Sequence, residues 1–204
     1  RHAAGLLGRK TGHGFYRYTE GKIERPPEPP PPALGKDLSV WISRRFSTEA
    51  RLLAGAIAKK GAKVEAGERP SAKALILLTP FGEDCTTAAL AESVDPTRSL
   101  AVDALFGFRG RWTLMRNPAT RPELMEAAHA LLATGGDKVT LINDSPGFVA
   151  QRIVAAIVNI GTDMAQQRIA RPEDLDRAVE LGLGYPRGPL RLGQELGPRR
   201  ILDI

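Results

Sequence analysis

Between Leu38 and Ile142 short apolar runs alternate with segments of helical period, and few architectures tolerate that order. Leu38–Ser43 reads as a strand. Thr48–Lys60 repeats its apolar residues at helical spacing and stops at Gly61. Ala62–Ala66 and Ala74–Thr79 follow as strands, the second uniformly apolar and closed by Pro80. Asp84–Ser93 reads as a helix, Ser99–Ala104 and Arg111–Met115 as strands, and Arg121–Thr134 as a helix stopped by Gly135-Gly136. Lys138–Ile142 is a last strand. Parallel neighbours in a sheet can be joined only by a crossover, and a helix is the usual crossover. The expected fold is therefore α/β, with a parallel sheet and helices on its faces over residues 38–143.

After Pro146 the pattern becomes all-helical, over residues 144–204. Gly147–Arg168 carries Val149, Ile153, Val154, Ile157, Val158, Ile160 and Met164, a wide apolar stripe at helical spacing. Pro172 opens a further helix, with Glu173, Asp174 and Asp176 near its positive end. Gly182 or Gly184 ends it. At the other end, residues 1–20 are basic and glycine-rich. Residues 21–37 form a linker with six prolines in the seven positions 26–32, which excludes helix and central strand and favours extended polyproline II.

The 204 residues are 42% hydrophobic and 25% charged, the composition of an ordinary globular chain. No apolar run reaches membrane-spanning length, so no membrane partner is expected. The single cysteine, Cys85, excludes an internal disulfide and points to a reducing, cytoplasmic location. With no His near it in sequence, Cys85 reads as a small apolar residue or a partly exposed thiol rather than a nucleophile. The net charge of +6 is compatible with an anionic ligand or a nucleic acid. The basic residues are scattered among acidic ones, which argues against nucleic acid. No cluster of metal-ligand spacing is present.

Three stretches point to one family. They are Gly8-Arg9-Lys10-Thr11-Gly12-His13-Gly14-Phe15-Tyr16-Arg17-Tyr18, Ser145-Pro146-Gly147-Phe148-Val149-Ala150-Gln151-Arg152, and Gly184-Tyr185-Pro186-Arg187-Gly188-Pro189-Leu190. Together they resemble the C-terminal domain of the NAD-dependent 3-hydroxyacyl-CoA dehydrogenases. The first stretch looks like the end of one such domain, the others like most of a second. The resemblance implies a two-copy enzyme of the 3-hydroxybutyryl- or 3-hydroxyadipyl-CoA type, with NAD as cofactor, acyl-CoA as substrate and a homodimer as assembly. It implies a degenerate Rossmann-like domain at 38–143. A truncated helical domain of the 6-phosphogluconate-dehydrogenase C-terminal-like type then occupies 144–204, after residues 1–20 as the tail of a preceding helical domain. An arm that stacks Phe15, Tyr16 and Tyr18 on bases is the alternative for that tail.

The middle region departs from the family at the chemistry. A dinucleotide pyrophosphate needs a glycine-rich strand-to-helix turn. The turn here is Ile42-Ser43-Arg44-Arg45-Phe46-Ser47-Thr48-Glu49, and no glycine lies between Gly35 and Gly55. The family's catalytic His has no counterpart in Ala101–Met115, and no His occurs between His13 and His129. The Glu that would orient it falls near Thr113. His129 reads as a helix-surface or packed residue. At the family's carbonyl-polarising Asn stands Gln151, one methylene longer, preceded by Ser145. The resemblance makes Ser145 and Gln151 the candidate substrate residues. It leaves these residues with no cofactor-binding group, no metal and no catalytic residue, and makes an inactive, folding and dimerising module the expected role.

Overall fold

The computed structural model describes residues 2–25, 27–33, 35, 37–108 and 110–204. Pro26, Leu34 and Lys36 of the expected linker lie outside the described residues. The chain divides into two compact units, residues 1–31 and 32–204. In the first, β1 (Tyr18–Thr19) and β2 (Lys22–Ile23) form a small antiparallel hairpin. A bridge between Gly8 and His13 folds the basic run back on itself. Any side chain on Gly14 would meet the Gly8 Cα at 2.8 Å, so two bare backbones are what let this turn close. Phe15 and Tyr16 are exposed.

The second unit is built on a six-stranded sheet. Its strands are β3 (Ser39–Ile42), β4 (Lys63–Val64), β5 (Leu75–Leu78), β6 (Ser99–Val102), β7 (Arg111–Arg116) and β8 (Lys138–Asn143), in the order β4-β3-β5-β6-β7-β8. The first four are mutually parallel, as the alternation predicts. β7 runs antiparallel to β6, and β8 follows β7 in parallel. The expected parallel sheet is thus corrected at one pair, β6 with β7. Residues 103–110 join β6 to β7 with no helix among the described residues, and without a crossover the next strand must reverse. Three helices flank the sheet: α1 (Ser47–Lys59), α2 (Cys85–Ala91) and α3 (Pro122–Ala133).

Both faces of the central strands are covered, which is why β5 is apolar at every position. Leu75 and Leu77 join Leu53 and Ile57 of α1 and Leu131 and Leu132 of α3 on one face. Ile76 and Leu78 join Ala88 and Ala89 of α2 on the other. Phe148, from the corner after β8, is fully buried in that second layer. Such a ring contributes about 2–3 kcal/mol by its burial alone.

Four helices complete the unit: α4 (Val149–Gln166), α5 (Pro172–Leu183), α6 (Pro189–Leu196) and α7 (Pro198–Asp203). Proline at the first position of α5, α6 and α7 costs nothing, because the missing N–H has no partner there. α5 ends at Gly184 in left-handed geometry, φ 69°. Asp176 of α5 caps α6, accepting from the Leu190 and Arg191 amides at 2.8 and 3.0 Å. Gly188 has no room for a side chain, since a Cβ would lie 2.3 Å from the Asp176 carboxyl carbon. α4 and α6 cross through two further glycines, Gly161 against Pro189 and Gly193 against Val158. Among the described residues no helix is long and apolar enough to cross a membrane.

Candidate functional site

In a doubly wound sheet, ligands bind outside the strand carboxyl ends where the strand order reverses. Here that point lies between β3 and β5, with β6 beside it. Its walls are the turn 43–46, the loop 79–84 after β5, the loop after β6 and the start of α1.

The turn is held by side chains. The Ser43 hydroxyl donates to Glu92 at 2.6 Å and accepts from the Arg45 amide at 3.2 Å. Arg44 donates to the Ala66 carbonyl. Arg45 grips Glu83 with both terminal nitrogens, the longer contact at 2.9 Å. No residue from 43 to 48 has a positive φ, so the turn has no need of glycine. Both arginines of the turn thus bond within the protein. Phe46 precedes α1 and meets Phe81 edge-on, ring centroids 5.0 Å apart.

Glu49 sits in the first turn of α1 and is buried. Arg200 of α7 donates to its carboxylate at 2.5 Å and lies 4.6 Å over the Phe81 ring. Glu65 follows β4, about twenty residues after the turn, where nucleotide-binding sheets carry the acid that meets a ribose hydroxyl. Sequence reasoning passed over it, though that spacing was a usable signal. Its carboxylate accepts from the Ser39 hydroxyl at 2.7 Å, the Ser71 hydroxyl at 2.6 Å and the Ser71 amide at 2.9 Å. The Ser71 bonds lead in holding its pKa below the usual carboxylate value.

Gln151 is fully buried at the start of α4. Its amide nitrogen donates to the Pro80 carbonyl and to Asp103 Oδ1, both at 3.1 Å, and its oxygen accepts from the Gly82 amide at 3.1 Å. Both N–H groups are spent on the protein, leaving none for a thioester carbonyl in this geometry. Ser145 is half-buried, and its hydroxyl makes a long 3.4 Å contact to the Gly147 carbonyl. Ser145 and Gln151 share no hydrogen bond; the neighbour of Ser145 is the busier group. Asp144 accepts from the Cys85 amide at 2.7 Å and from the Thr86 hydroxyl, anchoring the start of α2.

Asp103, at the end of β6, is a second residue that sequence reasoning missed. Burial raises its carboxyl above the ordinary value, while the Leu105 amide and Gln151 pull it down. Cys85 is buried, and loss of hydration pushes its thiol up to about 12, which rules out a thiolate nucleophile at neutral pH. His129 is half-buried on α3. Arg187 pairs with Glu195 on the surface. No group of metal-ligating side chains exists among the described residues.

The fold is thus a doubly wound α/β sheet whose crevice is met by a helical layer. Residues 147–204 match the family described as 3-hydroxyacyl-CoA dehydrogenase, C-terminal domain. The 3-hydroxyadipyl-CoA dehydrogenase of Escherichia coli (strain K12) is 45% identical over 69 residues, 34% of this chain and 14% of that protein. A probable 3-hydroxybutyryl-CoA dehydrogenase of Bacillus subtilis (strain 168) is 32% identical over 91 residues, 45% of this chain and 32% of that protein. The crystal structure of 3-hydroxybutyryl-CoA dehydrogenase from Escherichia coli K12 superposes with a TM-score of 0.68 and 26% identity, covering 98% of this chain and 37% of that one. The chain is therefore similar to 3-hydroxyacyl-CoA dehydrogenases over these stretches, and it spans well under half the length of each of these three.

Proposed function

We propose that these residues are a catalytically silent copy within an NAD-dependent 3-hydroxyacyl-CoA dehydrogenase of the cytoplasm. The parent protein oxidises (3S)-hydroxyacyl-CoA to 3-oxoacyl-CoA in fatty-acid metabolism, using residues outside this sequence. The observation that carries the reading is the state of the crevice. Arg44, Arg45, Glu49 and Glu65, the polar groups at the places a dinucleotide would contact, each already hydrogen-bond within the protein itself. NAD does not fit these residues. No imidazole lies within 38–128 to move a proton near neutral pH. Ser145 and Gln151 act as corner and latch rather than as substrate contacts.

The positive role is support and homodimerisation. α4 has two apolar faces. Val154, Val158 and Gly161 face the interior, while Val149, Ile153 and Ile160 are 54–60% exposed along the opposite side. An exposed stripe of this kind is the usual mark of an interface. A groove of about 760 Å3 among α4, α6 and α7, lined by Ala155, Leu190, Ile201 and Leu202, favours a second reading, an acyl-CoA-binding module.

NADH oxidation by this chain with acetoacetyl-CoA separates these readings from activity. No turnover above buffer supports a silent copy, and clear turnover sinks it. Sedimentation velocity tests the interface: wild type should be a dimer and Ile153→Glu a folded monomer. A wild-type monomer at high concentration would remove the dimer reading. Tight binding of acetoacetyl-CoA without turnover would favour the second reading.

A further inference from the structure

A copy that has lost its nucleotide chemistry could still hold an open crevice. This one is filled from within on its β5 and β6 side, while a cavity of about 290 Å3 lined by Arg44, Ser47, Val64 and Glu65 remains on its β3 and β4 side. α7 brings Arg200 onto Glu49, and Ile201 and Ile204 into an apolar cluster with Phe46, Phe81, Ala104 and Leu105. The backbone of Asp203 passes so close to Gly82 that a Cβ there would lie 2.0 Å from its carbonyl oxygen. Gly82 also has φ 73°, so glycine is required twice over at this one position. A ligand phosphate would normally bring negative charge to the start of α1. Here Glu49 supplies that charge, and Arg200 is its counterion.

We propose that α7 is an intramolecular plug, a strap whose docking closes the strand-end crevice, with Glu49–Arg200 as its fastening. The plug works by three linked contacts. Glu49 is 6% exposed, so its carboxylate depends on Arg200 for compensation. The Phe81 ring lies beneath the guanidinium and edge-on to Phe46, which ties the fastening to the loop after β5. Gly82 lets the strap lie flat. Lifting α7 would expose residues 46–50 and 79–83 together and leave β7 and β8 paired, because α7 packs on the segments that follow β3, β5 and β6 rather than on β7 or β8 themselves. The plug is independent of whether the parent protein is a dehydrogenase, and its test does not depend on activity.

Amide hydrogen exchange on the whole chain reads the plug directly. In wild type, residues 47–50, 79–83 and 198–203 should be protected as one group. Arg200→Ala should raise exchange in all three segments by about tenfold or more, with 111–116 and 138–143 within about twofold of wild type. Arg200→Lys keeps the charge and should recover part of the protection. Gly82→Ala displaces the strap with Arg200 intact and should open the same segments, which covers the case in which Arg200→Ala does not fold. The proposal is overturned if α7 exchanges like free peptide in wild type. It is equally overturned if either variant leaves 47–50 and 79–83 unchanged, or raises exchange uniformly along the chain.

Discussion

The strand-to-helix turn at 43–48 and the α4–α6 seam make opposite use of glycine. The turn has none, and its conformation is fixed by Ser43, Arg44 and Arg45. The seam has Gly161 and Gly193, and the adjoining α5–α6 corner has Gly188, each with a neighbour that an added Cβ would meet at 2.3–2.8 Å. Glycine in the turn would serve a ligand, by letting backbone approach phosphate. In the seam it serves packing, by letting helices and a cap approach each other. The difference teaches that glycine here stands where the protein's own packing needs it and is missing from the turn where a pyrophosphate would call for it.

The sharpest test of that contrast is Gly188→Ala. It drives a methyl into Asp176 and dislodges the cap of α6, so urea unfolding should show a loss of about 3 kcal/mol. A loss below about 1 kcal/mol would mean the α5–α6 corner yields easily, and the contrast fails. Gly161→Ala and Gly193→Ala are next. Each gains about 1 kcal/mol of helix propensity but overpacks a close crossing, for a net loss of about 1–2 kcal/mol. Gly55 is the control inside α1, with nothing within 4 Å of its would-be Cβ. Gly55→Ala should therefore stabilise, by about 1 kcal/mol, and the opposite signs on α1 and the seam are the comparison in its cleanest form. A loss at Gly55 would break it.

Smaller effects report on the crevice. The Thr79 hydroxyl, at the end of β5, is buried without a hydrogen-bond partner among the described residues. Thr79→Val keeps the shape and removes the unpaired group, so thermal unfolding should show a gain of about 1 kcal/mol. Asp103 gives a pH signature. Its folded pKa is raised by burial above the ordinary 3.8, so its stabilising contribution is fully present below the unfolded pKa and is lost as pH rises through the folded value. Asp103→Asn escapes that loss. The variant should match wild type at acidic pH and exceed it slightly at neutral pH; a difference that does not change with pH would contradict the burial of this carboxyl.

Much of the fold was legible because it rests on local rules. The alternation of runs located the strands and helices within a few residues, and Gly61 and Gly184 marked helix ends through their left-handed backbone. The missing glycines of the turn were visible directly. The reversal of β7 was half-visible, in the absence of helical pattern over 103–110. The apolar stripe of α4 was visible as one wide band, yet nothing local could divide it into a buried face and an exposed one. Glu65 had a sequence signal in its spacing. Asp103 had none, because its raised carboxyl follows from burial by distant segments.

The amino-acid order alone determined the α/β alternation, the helical character after Pro146, the absence of a glycine turn in the middle region and the absence of an imidazole from 38 to 128. These are properties of short stretches, set by backbone sterics and by which side chains are present. Tertiary structure alone decided that Gln151 spends its amide on Pro80, Gly82 and Asp103, and that Glu49 meets Arg200 from 151 positions away. Such pairings depend on how the layers close over one another, and a buried polar group takes whatever partner the closed fold presents.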